Sequence, residues 1–225
     1  MNIRLIAAET DRSFFYLKKL LKENIKISSI IYYSKQKNKT YNLIKKRNLD
    51  IKTRFIFTDN INDKKILKCI NEIKINQLNI FSGYLGEIVK SETLIKKKLI
   101  HCHSGDLPFF KGSTTIYYTL LKKKKICVSL IYLNKNIDEG KILFKKFFIP
   151  PKNKKNLEKN FDNEIRAEAL VKFLKTNKVK PNNKFRNIKK IGYNYYIAHP
   201  MIRYLVINKR SFMKKFLNKY IKKYL

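Results

Sequence analysis

No apolar run in this 225-residue chain approaches the ~20 residues that a membrane-spanning helix needs, and the first residues lack the pattern of a secretory leader. The three cysteines, Cys69, Cys102 and Cys127, are odd in number, scattered and without a Cys-x-x-Cys pair. That argues against a disulfide framework or a zinc ribbon and fits a reducing, cytoplasmic setting. Glycine is sparse, six in all, and none falls in Ala7-Ala8-Glu9-Thr10-Asp11, where a first βα turn is expected. A dinucleotide fingerprint therefore fails, and no Gly-x-x-x-x-Gly-Lys-Ser/Thr string exists for a P-loop. Neither common kind of phosphate-cradling nucleotide site is encoded.

Acidic residues are also few, 16 against 52 Lys and Arg, for a formal net charge of +36. Such a balance invites a nucleic-acid or membrane-surface reading. The excess is mostly lysine, spread through every segment together with Asn and Ile. Nucleic-acid readers rely on arginine forks and interleaved aromatics, which are not concentrated here. A general drift in amino-acid usage accounts for the charge, and no specific nucleic-acid partner is expected. An anionic substrate or an acidic membrane surface remains compatible with the field.

What the chain does contain is an alternation of strand-like and helix-like segments. Residues 3–8, 25–33, 54–57, 78–82, 126–133 and 141–149 read as strands from their apolar and β-branched runs. Between them, helices are expected from Asp11 or Ser13 through Leu21, over 39–48, from Asp59 or Asn60 through Ile73, over 88–95, and after Ser113. A long helix is expected over 158–176 and a further strand near 193–197. This order predicts an α/β fold with a mostly parallel, twisted sheet and helices on both faces. Residues 1–150 are expected to form the main domain, and 151–225 a helical extension packed on it. The stretch 212–225 is amphipathic, with Phe212, Phe216, Tyr220 and Tyr224 on one stripe. It is read as a helix on the core, a membrane-surface or partner helix, or a homodimer contact.

The densest chemistry lies in His101-Cys102-His103-Ser104-Gly105-Asp106-Leu107-Pro108, which holds two of the three histidines. Residues i and i+2 of a strand share a face, so His101 and His103 should project together with Cys102 opposite. They would stand at the carboxyl end of a strand, where open α/β sheets bind ligands. Two alternatives stay open on these residues alone: partly exposed histidines at a strand end, or ligands of Zn²⁺ completed by Asp106 or Asp138 for a hydrolase.

Taken together, the segment from Leu99 to Ser113, the later Asn136-Ile137-Asp138-Glu139-Gly140 and the earlier Gly83-Tyr84-Leu85-Gly86 resemble the folate-dependent formyltransferases. That family includes glycinamide ribonucleotide transformylase, methionyl-tRNA formyltransferase and the sugar N-formyltransferases. Its pattern is Asn-x-His-x-Ser-x-Leu-Pro, then aromatic-basic-Gly, then Asp-x-Gly. His103 falls on the family's His, Leu107-Pro108 on its Leu-Pro, Phe110-Lys111-Gly112 on its aromatic-basic-Gly, and Asp138 and Gly140 on its Asp-x-Gly. His101 stands in the place of the Asn, and Gly105-Asp106 replaces the usual Ser-Leu. The resemblance implies a Rossmann-like formyltransferase fold and N10-formyltetrahydrofolate as formyl donor. It implies His103, Asp138 and His101 as catalytic residues, with Gly83, Tyr84, Leu85, Gly86, Asn136 and Ile137 against the folate.

The acceptor is then a small-molecule primary amine. The glycine-poor first turn lacks what the ribonucleotide transformylases use for their ribose phosphate. About 75 residues after Pro150 are too few for the tRNA-holding barrel of the methionyl-tRNA enzymes. An amino sugar, phosphorylated or nucleotide-linked, is the expectation that remains, with a methionyl-tRNA formyltransferase-like paralogue as the alternative. A non-catalytic polyanion or membrane-surface binder is the other reading.

Overall fold

The computed structural model describes residues 2–47, 52–72, 77–122, 125–176 and 192–208. A seven-stranded sheet organises them. Its first five strands in sequence are β1 (Asn2–Ala8), β2 (Ser29–Tyr33), β3 (Lys52–Ile56), β4 (Gln77–Ser82) and β5 (Leu99–His103). Neighbouring strands among these five run parallel, in the order β3-β2-β1-β4-β5. A short β6 (Phe110–Gly112) follows outside this sheet. Strands β7 (Ile126–Tyr132) and β8 (Ile142–Phe148) then complete it as an antiparallel edge beside β5.

Alternation along β1 shows why helices cover both faces. Ile3, Leu5 and Ala7 enter one buried cluster, whereas Ile6 and Ala8 enter a second. The first cluster takes Tyr16, Leu17 and Leu20 of α1 (Asp11–Lys22), Ile116 and Leu120 of α5 (Thr115–Lys122), and Ile165, Leu170 and Phe173 of α6 (Asp162–Lys175). The second takes Ile66 and Ile70 of α3 (Lys64–Asn71) and Leu94 of α4 (Glu92–Lys96). Apolar burial on both sides is what makes these strands read as continuous hydrophobic runs. The remaining helices are α2 (Lys39–Lys46), which closes over the carboxyl end of β1, and α7 (Pro200–Asn208), which follows β9 (Tyr193–Tyr195). Strand β9 pairs in parallel with β6.

Several boundaries differ from the sequence expectation. Helix α1 is capped by Thr10, whose hydroxyl accepts from the Ser13 amide at 3.1 Å, one residue before Asp11. Asp63 rather than Asp59 or Asn60 caps α3, accepting from the Lys65 amide at 2.8 Å. Ile61 is buried from a turn that precedes the helix. The long helix opens as a π-helical turn, Leu157–Phe161, where the Asn163 amide donates to the Lys159 carbonyl at 2.8 Å. That side chain satisfies a carbonyl the widened turn frees from the regular ladder. The amphipathic stretch 212–225 lies outside the described residues. Among the described residues no helix is long and apolar enough to cross a membrane.

Strand order reverses between β1 and β4, so a crevice opens above their carboxyl ends, as open α/β sheets require.

Candidate functional site

A cavity of about 360 Å³ lies over the carboxyl ends of β1, β4 and β5, within the usual range for a small-molecule site. One wall is the segment after β4, including Tyr84, Leu85 and Gly86; another is the β7–β8 loop, including Asn136, Ile137 and Asp138. His101 and His103 form its floor. Leu85, Ile137, Tyr196 and Ile197 line it yet stay exposed, giving an apolar mouth suited to a flat ring.

Both walls depend on particular side chains. The Glu87 carboxylate accepts from the Tyr84 amide at 2.9 Å, the Tyr33 hydroxyl at 2.6 Å and the Ile61 amide at 2.6 Å, which folds the post-β4 segment into place. Gly83 does not line the cavity; its carbonyl accepts from Arg12, and a Cβ there would strike the Phe81 ring and the Glu87 carboxylate. At the other wall, a Cβ on Gly140 would collide with the Tyr132 carbonyl oxygen. Only glycine lets the loop return so close to β7 and present Asp138 inward.

His103 is buried and fixed at both ring nitrogens. Its Nε2 lies 2.7 Å from the Phe110 carbonyl oxygen and its Nδ1 3.2 Å from Asp138 Oδ2. A carbonyl only accepts, so Nε2 is the donor in that bond, and Nδ1 is left facing the Asp138 carboxylate. Asp138 Oδ2 also accepts from the Gly112 amide at 2.8 Å, and Asp138 holds a left-handed φ of 53°. The segment between the two residues is pinned by Ser129, whose hydroxyl donates to the Gly105 carbonyl at 2.6 Å and accepts from the Leu107 amide at 3.2 Å. Asp106 points away from the cavity to Lys145 at 2.7 Å, so it does not complete a ligand set with the histidines.

A methyl group at position 105 would strike His103 Nε2 and the Phe110 carbonyl oxygen, the two ends of the bond that orients the ring. Gly105→Ala is expected to lower stability by about 1–3 kcal/mol. A urea titration checks this: the midpoint should fall at unchanged slope.

His101 differs from His103. Its Nδ1 is buried and makes no hydrogen bond. Burial, reinforced by the positive charges of Arg12 and Arg166, holds its pKa well below 6.5, so the ring is neutral at neutral pH. Cys102 faces the opposite side of β5, in the first buried cluster. Burial pushes its thiol up to about 11, which removes it as a nucleophile. Ligand atoms of His101, His103 and Asp138 lie within 4.8 Å of one another. The three residues singled out as catalytic in the sequence thus converge at one point.

Sequence reasoning missed Arg12 and Arg166, which line the same cavity. Arg166 donates from Nη1 to the Cys102 carbonyl at 2.7 Å and from Nε to Asp162 at 2.8 Å. The one signal was scarcity, eight arginines among 52 basic residues, and exposed Arg47 and Arg54 share it.

No protein-family model matches the chain. A methionyl-tRNA formyltransferase of Finegoldia magna is 29% identical over 103 residues, 44% of this chain and 33% of the relative. The match spans about a third of that relative's length. Among solved structures, a phosphoribosylglycinamide formyltransferase from Anaplasma phagocytophilum superposes with a TM-score of 0.58 at 16% identity, covering 87% of this chain and 99% of that one. A sugar N-formyltransferase from a Shewanella species does so with 0.54 at 16% identity, covering 87% and 76%. The chain therefore carries the α/β fold of the formyltransferases.

Proposed function

We propose that the chain is an N-formyltransferase that moves a formyl group from N10-formyltetrahydrofolate to a primary amine, with a nucleotide-linked amino sugar as the favoured acceptor. The observation that carries this reading is the convergence of His101, His103 and Asp138 beneath an apolar-mouthed cavity on this fold. The cavity's volume and its Tyr84, Leu85 and Ile137 wall suit a flat pterin-like ring. Tyr84, Leu85, Gly86, Asn136 and Ile137 would hold that donor, which supplies an activated formyl carbon.

The protein's own residues then have separable tasks. The neutral His101 ring donates from one nitrogen to the formyl oxygen as negative charge develops there. Asp138 takes a proton from the incoming amine, and the His103–Asp138 pair stores it and returns it towards the leaving nitrogen. No covalent enzyme intermediate is needed, consistent with a Cys102 thiol that stays protonated. An amino sugar is favoured because a sugar N-formyltransferase shares most of the fold and the charge of +36 attracts a phosphorylated acceptor.

Isothermal titration with 10-formyl-5,8-dideazafolate tests the reading. Saturable one-to-one binding by metal-free protein is expected, followed by formyl transfer to members of an amine panel. Absence of binding at millimolar ligand rejects it. The three ligand atoms within 4.8 Å also favour a second reading, a divalent-cation hydrolase. Stoichiometric zinc in purified protein, with activity lost to a chelator, would select that one.

A further inference from the structure

Arg12 and Arg166 occupy a part of the cavity that none of the roles above uses. Arg12 stands in the first turn of α1, at the reversal between β1 and β4. Its Nε lies 3.4 Å from Ser82 Oγ, and its Nη2 donates to the Gly83 carbonyl. Arg166 reaches the same place from α6, held by Asp162 and by the Cys102 carbonyl. The remaining nitrogens, Nη1 of Arg12 and Nη2 of Arg166, make no hydrogen bond among the described residues.

The carboxylate of Asp162 pairs with Arg166 alone, and Arg12 forms no ion pair among the described residues. The other carboxylates on the cavity wall are engaged elsewhere, Glu87 by Tyr33, Ile61 and Tyr84, and Asp138 by Gly112 and His103. Burial, and after it the like charge of Arg166, lowers the Arg12 pKa. Both residues are half-buried, so part of the desolvation cost of Arg12 goes without a counter-charge, and an anion placed between the two forks offsets it.

We propose that Arg12 and Arg166 form a subsite for an anionic group, phosphate or carboxylate, carried on the amine acceptor. That the ligand is the acceptor rests on the transferase reading above. Planar forks suit either oxyanion through paired N–H donors. The subsite lies beside His101, so the anion and the reacting amine belong to one small molecule. A neutral free amino sugar is then a poor substrate.

Calorimetry at fixed ionic strength, with inorganic pyrophosphate and malonate as probes, tests this on the full chain. One saturable site is expected. Its affinity should fall by about tenfold or more in Arg12→Met, and also in Arg166→Lys, which keeps the charge beside Asp162 but loses the fork. The exposed Lys18→Met should leave it unchanged. A preference for pyrophosphate assigns a phosphorylated acceptor, and a preference for malonate assigns a carboxylated one. Equal affinities in wild type and Arg12→Met, or equal weakening by Lys18→Met, overturn the subsite. If 10-formyl-5,8-dideazafolate binds and neither anion does, the subsite falls while the transferase reading stands. If pyrophosphate binds through the arginines and the folate analogue does not bind, the subsite stands and its assignment to a formyl acceptor falls.

Discussion

Asp138→Asn is expected to lower kcat by about 10²–10⁴ while leaving the fold intact, the range that general acid–base groups contribute. The wild-type carboxylate faces His103 Nδ1 at 3.2 Å and accepts from the Gly112 amide at 2.8 Å. Asparagine is isosteric, and its amide oxygen can keep the bond from Gly112. It also tolerates the left-handed φ of 53° that position 138 requires. What is lost is chemical. The Gly112 N–H and His103 Nδ1 both meet Oδ2, so with the amide oxygen held by Gly112 no carboxylate is left beside Nδ1 to accept the amine's proton. Asp138→Ala combines that loss with a backbone penalty of about 1–2 kcal/mol, and comparing the two variants separates charge from conformation. Steady-state turnover with the folate donor at saturating amine, alongside urea midpoints, makes the measurement. Wild-type kcat in Asp138→Asn would remove Asp138 from the reaction.

The parts of this structure that were legible in the sequence are those set by local pattern. Apolar runs separated by cap and turn residues marked the strands, and the i, i+2 spacing put His101 and His103 on one face of β5 with Cys102 opposite. The Asn-Ile-Asp-Glu-Gly string announced a turn, but not why its glycine is needed. That reason, the Tyr132 carbonyl lying where a Cβ would be, exists only once β7 and β8 have paired. The parallel direction of β1 to β5 was legible from the helices between them, but that of β7 and β8 was hidden, because a short apolar run carries no sign of how its neighbour runs. The antiparallel edge of β7 and β8 follows from tertiary pairing alone.

The missed residues have the same origin. Arg12 begins α1 and Arg166 sits within α6, and nothing local relates them; their meaning comes from two helices converging on the carboxyl end of β5. Glu87 was equally silent, since two of its three bonds reach back to Tyr33 and Ile61 across the sheet edge. Against a background of lysine, nothing local set Arg12 and Arg166 apart from exposed arginines such as Arg47 and Arg54.

His101→Ala is expected to reduce kcat by about 10²–10³, the cost of removing one preorganised donor to a developing oxyanion, whereas His101→Asn should retain most of the activity by offering an amide N–H from the same strand position. The ring is neutral, because burial, Arg12 and Arg166 all disfavour its protonation. The sign for stability follows from linkage. With the folded pKa well below 6.5, the unfolded chain binds the extra proton first, so stability is full above about pH 6.5 and falls as the pH drops below it, by at most about 1.4 kcal/mol per pH unit. His101→Asn lacks that titration, and its unfolding free energy should change less than that of wild type between pH 7.5 and 5. Activity and urea titrations on the two variants decide the matter together. A His101→Ala enzyme with wild-type kcat would remove the oxyanion role, and an Asn variant with the same acid sensitivity as wild type would place the buried proton elsewhere.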